Sequence, residues 1–207
     1  MIEGVDLSRY QGKVDFDEVR QAGAKYALLK ATEGLTYVDP EFYRSAACGA
    51  HNAVWVGSYH YFLPDLDPEK QAIHYASIAE DATSLRPICD FEALRGIAPA
   101  EATNRAEAFM AATDELWGAY TILYSYPYFL QPLASKWTGR VSPHRRDLWI
   151  AHYTADDNPW LPLPWAEWLI WQYDGDGGKR LPSGQDCDWN RTRDLVALMR
   201  DAGSLLR

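Results

Sequence analysis

Two carboxylates, Asp90 and Glu92, stand one residue apart at the end of an apolar run, RPICDFEALRG at 86–96. Unpaired charge is costly to bury, so acids at the end of a buried strand either face water or are put to use. Side chains alternate along a strand, so Asp90 and Glu92 share one face while Cys89 and Phe91 share the other. Like charges held that close push at least one pKa upward, which is what a general acid needs to keep its proton near neutral pH. The plain alternative is a strand end whose acids cap a helix or sit in solvent.

The elements that must position this pair are legible as a rhythm. Apolar runs at IEGVDLS, YALLKATEG, WVGSYHYF, RPICDFE and AYTILYSYP alternate with amphipathic stretches at DFDEVRQAG, DPEFYRSAACGAHN and DPEKQAIHYASIAEDA and with a helix over 101–118. In that helix Ala106, Phe109, Met110, Thr113, Leu116 and Trp117 recur at three- and four-residue spacing, so they form its buried face. Asp15, Asp39 and Asp67 are placed to cap helix starts, with Pro40 and Pro68 in the first turns. After residue 140, DLWIAHY, WLIWQYD and QDCDWN still read as strands, but the connections TADDNPWLPLPWAE and GDGGKRLPSG are too rich in Pro and Gly for helices. A last amphipathic helix, burying Leu195, Val196 and Met199, is expected to close the chain. Eight strands with about five connecting helices fit an α/β, TIM-like closed barrel, (β/α)5(β)3, whose last strands have lost their helices. An open doubly wound sheet is the alternative, but no Gly-rich phosphate loop follows the first strand.

The chain has 207 residues, which suits one well-filled domain over 1–207. Nine Trp and thirteen Tyr make a heavy aromatic load, suited to a large core or to a carbohydrate-lined cleft. A net charge of -9 argues against a nucleic-acid partner and against attraction to an anionic surface. Cys48, Cys89 and Cys187 show no CxxC spacing and are expected to be free thiols, with Cys89 and Cys187 pointing outward beneath helices. Residues 1–10 lack a signal-peptide pattern and no run approaches a membrane span, so synthesis in the cytoplasm without membrane insertion is expected.

Polar residues mark the strand ends that carry function in such barrels. Asp6 ends the first strand, Glu33 the second, Tyr59 and Tyr61 the third, Asp90 and Glu92 the fourth, and Tyr124 the fifth. Trp149 and Tyr153 flank the sixth, Gln172 sits in the seventh and Asp188 in the eighth. An acid or a flat ring on nearly every strand, aimed at one mouth, is the lining used to bind and hydrolyse sugars. Several of these have a second reading: Asp6 as a solvated strand end, Gln172 as a bridge between strands, Trp149 as core, Glu33 as the partner of Lys30. His60 and His152 with Asp6 have the chemistry of a metal site, but no HExxH-like spacing supports one, and alternation turns His60 away from Tyr59 and Tyr61.

The chain resembles the glycoside hydrolase family 25 lysozymes, often called the Chalaropsis type. The similarity runs through GVDLSRYQGKVDF (4–16), KATEG (30–34), DPEF (39–42), GSYHYF (57–62), DFE (90–92), LYSYP (123–127), LWIAHY (148–153), WQYD (171–174) and DCDWN (186–190). The resemblance implies a (β/α)5(β)3 barrel that cleaves the β-1,4 bond between N-acetylmuramic acid and N-acetylglucosamine in peptidoglycan; no cofactor or metal is expected. It implies Glu92 as the proton donor, Asp90 as its partner, and Asp6 and Asp188 as further acids of the cleft floor. Tyr59, Tyr124, Trp149 and Gln172 match sugar-contacting positions. Cys187 and Trp189 depart from the smaller or aliphatic residues the pattern calls for.

Two carboxylates at i and i+2 lie about 6 to 7 Å apart at Cα and reach a bound sugar from the same side. Asp90 is then badly placed as a nucleophile or base opposite Glu92. It is well placed to hydrogen-bond the substrate's 2-acetamido N–H and turn that group into an internal nucleophile, which predicts retention; Asp6 or Asp188 acting directly is the alternative. Two other functions compete: a non-catalytic glycan-binding barrel, against which the intact acid pair argues, and a metal-dependent deacetylase of the same glycan. The expected partner is the peptidoglycan glycan strand, bound by a monomer. A leaderless enzyme of this kind fits a phage or prophage endolysin that reaches the cell wall after release.

Overall fold

The computed structural model describes residues 1–137, 146–175 and 177–200. Nine strands form one sheet: β1 Ile2–Leu7, β2 Tyr26–Glu33, β3 Tyr37–Val38, β4 Trp55–Tyr61, β5 Ile88–Asp90, β6 Ile122–Ser125, β7 Leu148–Ala151, β8 Ile170–Asp174 and β9 Asp188–Thr192. Their order, β1-β9-β8-β7-β6-β5-β4-β2-β3, closes because β1 also pairs with β2. The barrel therefore has the eight expected strands; β3 is an added two-residue strand hairpinned onto the end of β2. Five helices connect the first strands: α1 Phe16–Gln21, α2 Phe42–His51, α3 Pro68–Ala79, α4 Pro99–Trp117 and α5 Pro127–Leu130. The segment from β7 to β8 has no helix, in keeping with its prolines.

β9 runs antiparallel to both β8 and β1, unlike the parallel ladder that links β1, β2 and β4 to β8. An antiparallel pair needs no crossover, so the chain after β8 turns straight back into β9. Asp188 thus begins its strand rather than ending it. The reversal brings that beginning to the same mouth, opposite Asp6.

Alternation along the strands makes two apolar layers. Tyr26, Leu28, Ile88, Ile122, Trp149 and Ile170 fill the barrel interior. Ala27, Leu29, Cys89, Leu123, Ile150 and Trp171 pack outward, against Phe42, Ala72, Ala106 and Phe109 of the helices. Gly4 is required by the interior packing, since a Cβ there would sit 2.4 Å from the Tyr26 ring. All three cysteines are free, and Cys89 and Cys187 lie buried in the outer layer as expected.

Asp15 caps α1 by accepting from the Asp17 N–H at 2.8 Å, and Asp67 caps α3 by accepting from Lys70 at 3.0 Å. Asp39 does more: one oxygen accepts from Glu41 N–H and the other from Arg9 N–H, so it ties the start of α2 to the loop after β1. Pro40 falls before the first turn of α2 rather than within it. In α4 the expected face is buried except Leu116, which is 42% exposed. The last turn instead presents Asp114 to the barrel, where its carboxylate binds the Arg146 guanidinium at 2.5 and 2.7 Å and accepts from Thr121. The expected C-terminal helix is, within the described residues, one 3-10 turn at Val196–Leu198. It buries Leu198 under the barrel and leaves Val196 exposed, while Arg200 anchors the chain by binding Glu80 and the Trp117 carbonyl. No helix of the described residues is long and apolar enough to cross a membrane.

Candidate active site

The strand ends converge on a cavity of about 530 Å³ whose wall includes Asp6, Asp90, Glu92, Asp188, Glu33 and Gln172. Tyr59, Tyr61, Tyr124 and Trp149 complete the predicted set in that wall. Tyr153 alone stands outside it, 57% exposed, touching the site through its hydroxyl. A larger hollow of about 690 Å³ lies elsewhere, between Trp165, Trp168 and Arg193. Its acids, Asp147, Glu167 and Asp194, are all exposed, so it lacks the buried carboxylates that make the smaller cavity chemically distinctive.

The floor is aromatic. Trp149 stacks its ring 4.3 Å from that of Tyr124 and 6.0 Å from that of Tyr59. It is both core and floor, being 1% exposed yet part of the cavity lining. Its indole N–H donates to Asn190 Oδ1 at 2.7 Å, and the Asn190 amide donates to Asp6 Oδ2 at 2.7 Å. Gln172 Nε2 donates to the same Asp6 oxygen at 2.7 Å and lies 3.4 Å from Asp188 Oδ2. The Gln172 carbonyl accepts from the hydroxyls of Tyr124 and Tyr153, at 3.1 and 3.0 Å. Both ends of the Gln172 amide are engaged, so it acts as a bridge that orients acids and tyrosines. Gly175 leaves the space for this arrangement: a Cβ there would lie 2.7 Å from the Tyr153 hydroxyl and 3.0 Å from Asp188 Oδ1.

Burial governs the electrostatics. It pushes the Asp6 carboxyl up to about 6 against two opposing hydrogen bonds, with Glu92 adding to the rise. It pushes Asp90 well above the usual carboxylate range, helped by Glu92 and opposed by Lys30. It raises Glu92 too, again with Lys30 opposing. Lys30 binds Glu33 at 2.7 Å and sits 4.8 Å over the Tyr61 ring, so the pairing weighed for Glu33 is real and occurs at the cavity wall. Asp90 Oδ1 is buried without a hydrogen-bond partner.

Because a rise from 3.8 to about 6 favours the neutral form in the fold, the associated stability is fully present below 3.8 and is lost as pH rises through 6. The interval corresponds to about 3 kcal/mol. Asp6→Asn, which cannot ionise, should therefore gain stability relative to the parent between pH 4 and 8, read as a widening gap in urea midpoints. Parallel pH profiles would contradict this.

Sequence reasoning missed Asn190, Ser8, Tyr10, Gln11 and Arg95. Asn190 was within reach: it follows Asp188 by two residues, so alternation places it on the same inward face. Arg95 enters only because its loop turns sharply, with φ at 49°, and Asp65 holds its guanidinium at 2.6 Å. His60 lies away from Asp6, its ring bonded to Thr32 and Gln71 and stacked on Phe109, and burial lowers it to about 3. His152 Nδ1 accepts from the Trp160 N–H. The three do not assemble into a metal site. Cys187 and Trp189, the two departures, face the outer layer rather than the cleft; the Trp189 indole donates to the Lys179 carbonyl.

Comparison with known proteins agrees with this geometry. The family model for glycosyl hydrolases family 25 matches residues 5–180. Lysozyme M1 of Streptomyces globisporus is 25% identical over 201 residues, which are 92% of this chain and 67% of that protein. The N,O-diacetylmuramidase of Chalaropsis sp is 28% identical over 185 residues, 83% of this chain and 87% of its own length. A bacterial lysozyme structure from Streptomyces coelicolor shares the fold, with a TM-score of 0.84 at 23% identity over 98% of this chain and 96% of that one.

Proposed function

The chain belongs to glycosyl hydrolases family 25, and from that premise we propose that it is a peptidoglycan N-acetylmuramidase in which Glu92 protonates the glycosidic oxygen and Asp90 holds the substrate's 2-acetamido group. The bond cut is the β-1,4 link from N-acetylmuramic acid to N-acetylglucosamine. Mass spectrometry of products from purified peptidoglycan tests this: reducing-end N-acetylmuramic acid is expected, and reducing-end N-acetylglucosamine or a deacetylated intact strand would refute it.

The observation that carries the mechanism is the unpartnered Asp90 Oδ1, buried beside Glu92 in the cavity wall. A buried acceptor without a donor is costly in the empty cleft, and a substrate N–H arriving there removes the cost. Donation to the carboxylate also favours its ionised form. Substrate binding then leaves Asp90 charged, and that charge helps Glu92, already raised by burial, to keep the proton it must deliver. The carboxylate stabilises the positive charge that develops on the acetamido nitrogen as its carbonyl oxygen attacks the anomeric carbon. Water then opens the ring so formed, with Glu92 returning as base, and the configuration is retained. Asp6 is less suited to attack directly, since two amides already hold Oδ2.

Lys30 lowers both acids. Lys30→Met should therefore move the alkaline limb of the kcat/KM profile to higher pH, because Glu92 then keeps its proton longer. A limb that stays in place or moves down would separate Lys30 from the acid's titration.

A further inference from the structure

We propose that Tyr128 and Trp160 form an aromatic shelf that binds an uncharged N-acetylhexosamine ring of the glycan strand outside the cavity, away from the bond that is cut; this rests on the muramidase reading above. The two rings meet edge to face at 5.1 Å and 66°, yet remain 71% and 42% exposed. Single exposed aromatics are ordinary on a protein surface. A contacting pair on stiffened backbone is a prepared surface.

The stiffening is visible. Trp160 donates its N–H to His152 Nδ1 at 3.1 Å, and the Leu163 N–H donates to Gln131 Oε1 at 3.1 Å, which ties the β7–β8 connection to the turn after α5. Pro159 and Pro162 within that connection are buried and restrict its backbone. Little ordering is left to do when a ligand arrives.

The shelf stands on the segments that follow β6 and β7, at the same end of the barrel as the cleft. Tyr124 lines the cavity, Tyr126 follows it at 36% exposure, and Tyr128 comes next, just past the end of β6. On the other side His152 and Tyr153 follow β7, and the Tyr153 hydroxyl reaches Gln172 in the cavity wall. The proposal takes a strand leaving the cavity over β6 and β7 to meet these rings. Their negative faces suit the C–H face of a pyranose. The adjoining Asp156 and Asp157 are exposed acids, which disfavours the carboxylates of stem peptides and favours a neutral sugar.

The test uses Tyr128→Ala/Trp160→Ala with Trp55→Ala, an exposed aromatic at the far end of β4, as control. On long peptide-free glycan chains, the paired variant should raise KM roughly fivefold to tenfold with kcat unchanged, as loss of two aromatic anchors would do. Cleavage of a tetrasaccharide of alternating N-acetylglucosamine and N-acetylmuramic acid should be unaffected, as should the control. An unchanged KM on long chains, or an equal loss on the tetrasaccharide, overturns the shelf. Calorimetric binding of the same chains in a Glu92→Gln background judges it separately from turnover. There the pair should again weaken affinity, and an unchanged Kd refutes the shelf. A parent that binds the chains but cuts neither substrate fails the muramidase reading alone.

Discussion

Glu92→Gln should lower the rate of peptidoglycan cleavage by about 10² to 10⁴, the usual contribution of general acid catalysis, while KM and thermal stability stay near the parent values. The amide keeps the shape and the cavity lining but carries no proton to deliver to the leaving oxygen. Stability should not fall, because burial already disfavours the Glu92 charge, and neutralising it removes that penalty. Clearance of purified walls at more than a tenth of the parent rate would mean that another group supplies the proton. Asp6, raised to about 6 by burial with the Glu92 charge adding to the rise, would be the first to examine.

Asp90→Asn should cost roughly 10²-fold in kcat, comparable to losing one preorganised electrostatic contact in other hydrolytic sites. The asparagine oxygen can still accept from the acetamido N–H, so substrate binding survives. What is lost is the negative charge opposite the cation that forms when the acetamido oxygen attacks. The fold should gain stability at neutral pH, since a buried acid with an unpartnered oxygen has been replaced by a neutral group. Two further measurements separate this scheme from direct attack by an aspartate. Proton NMR of the first products should show the β-anomer, and an initial α-anomer would eliminate every retaining route. Glycan de-N-acetylated at the muramic acid should be cut far more slowly than the native strand, and undiminished cleavage would move the nucleophile from the sugar to Asp6 or Asp188.

Much of this site is determined by local rules that act on the sequence alone. Period-two alternation puts Asp90 with Glu92 and Tyr59 with Tyr61 on one face, and the barrel rhythm sends those faces to one mouth. The same rule sends Cys89 outward, and the prolines after residue 152 exclude a helix before anything is folded. Other features depend on which segments meet in space. The direction of β9 is decided by its pairing with both β8 and β1, and that pairing makes Asp188 the neighbour of Asp6. Asn190 and Gln172 share one Asp6 oxygen across 184 and 166 residues of chain, contacts that no local pattern encodes. Leu116 is exposed while Asp114, two residues before it, is buried against Arg146, 32 residues away. The raised acids belong to this second class as well. Alternation decides which side chains point inward, but desolvation depends on everything packed around them, and only the closed barrel with its aromatic floor removes the water that would otherwise hold Asp6, Asp90 and Glu92 at ordinary carboxylate values.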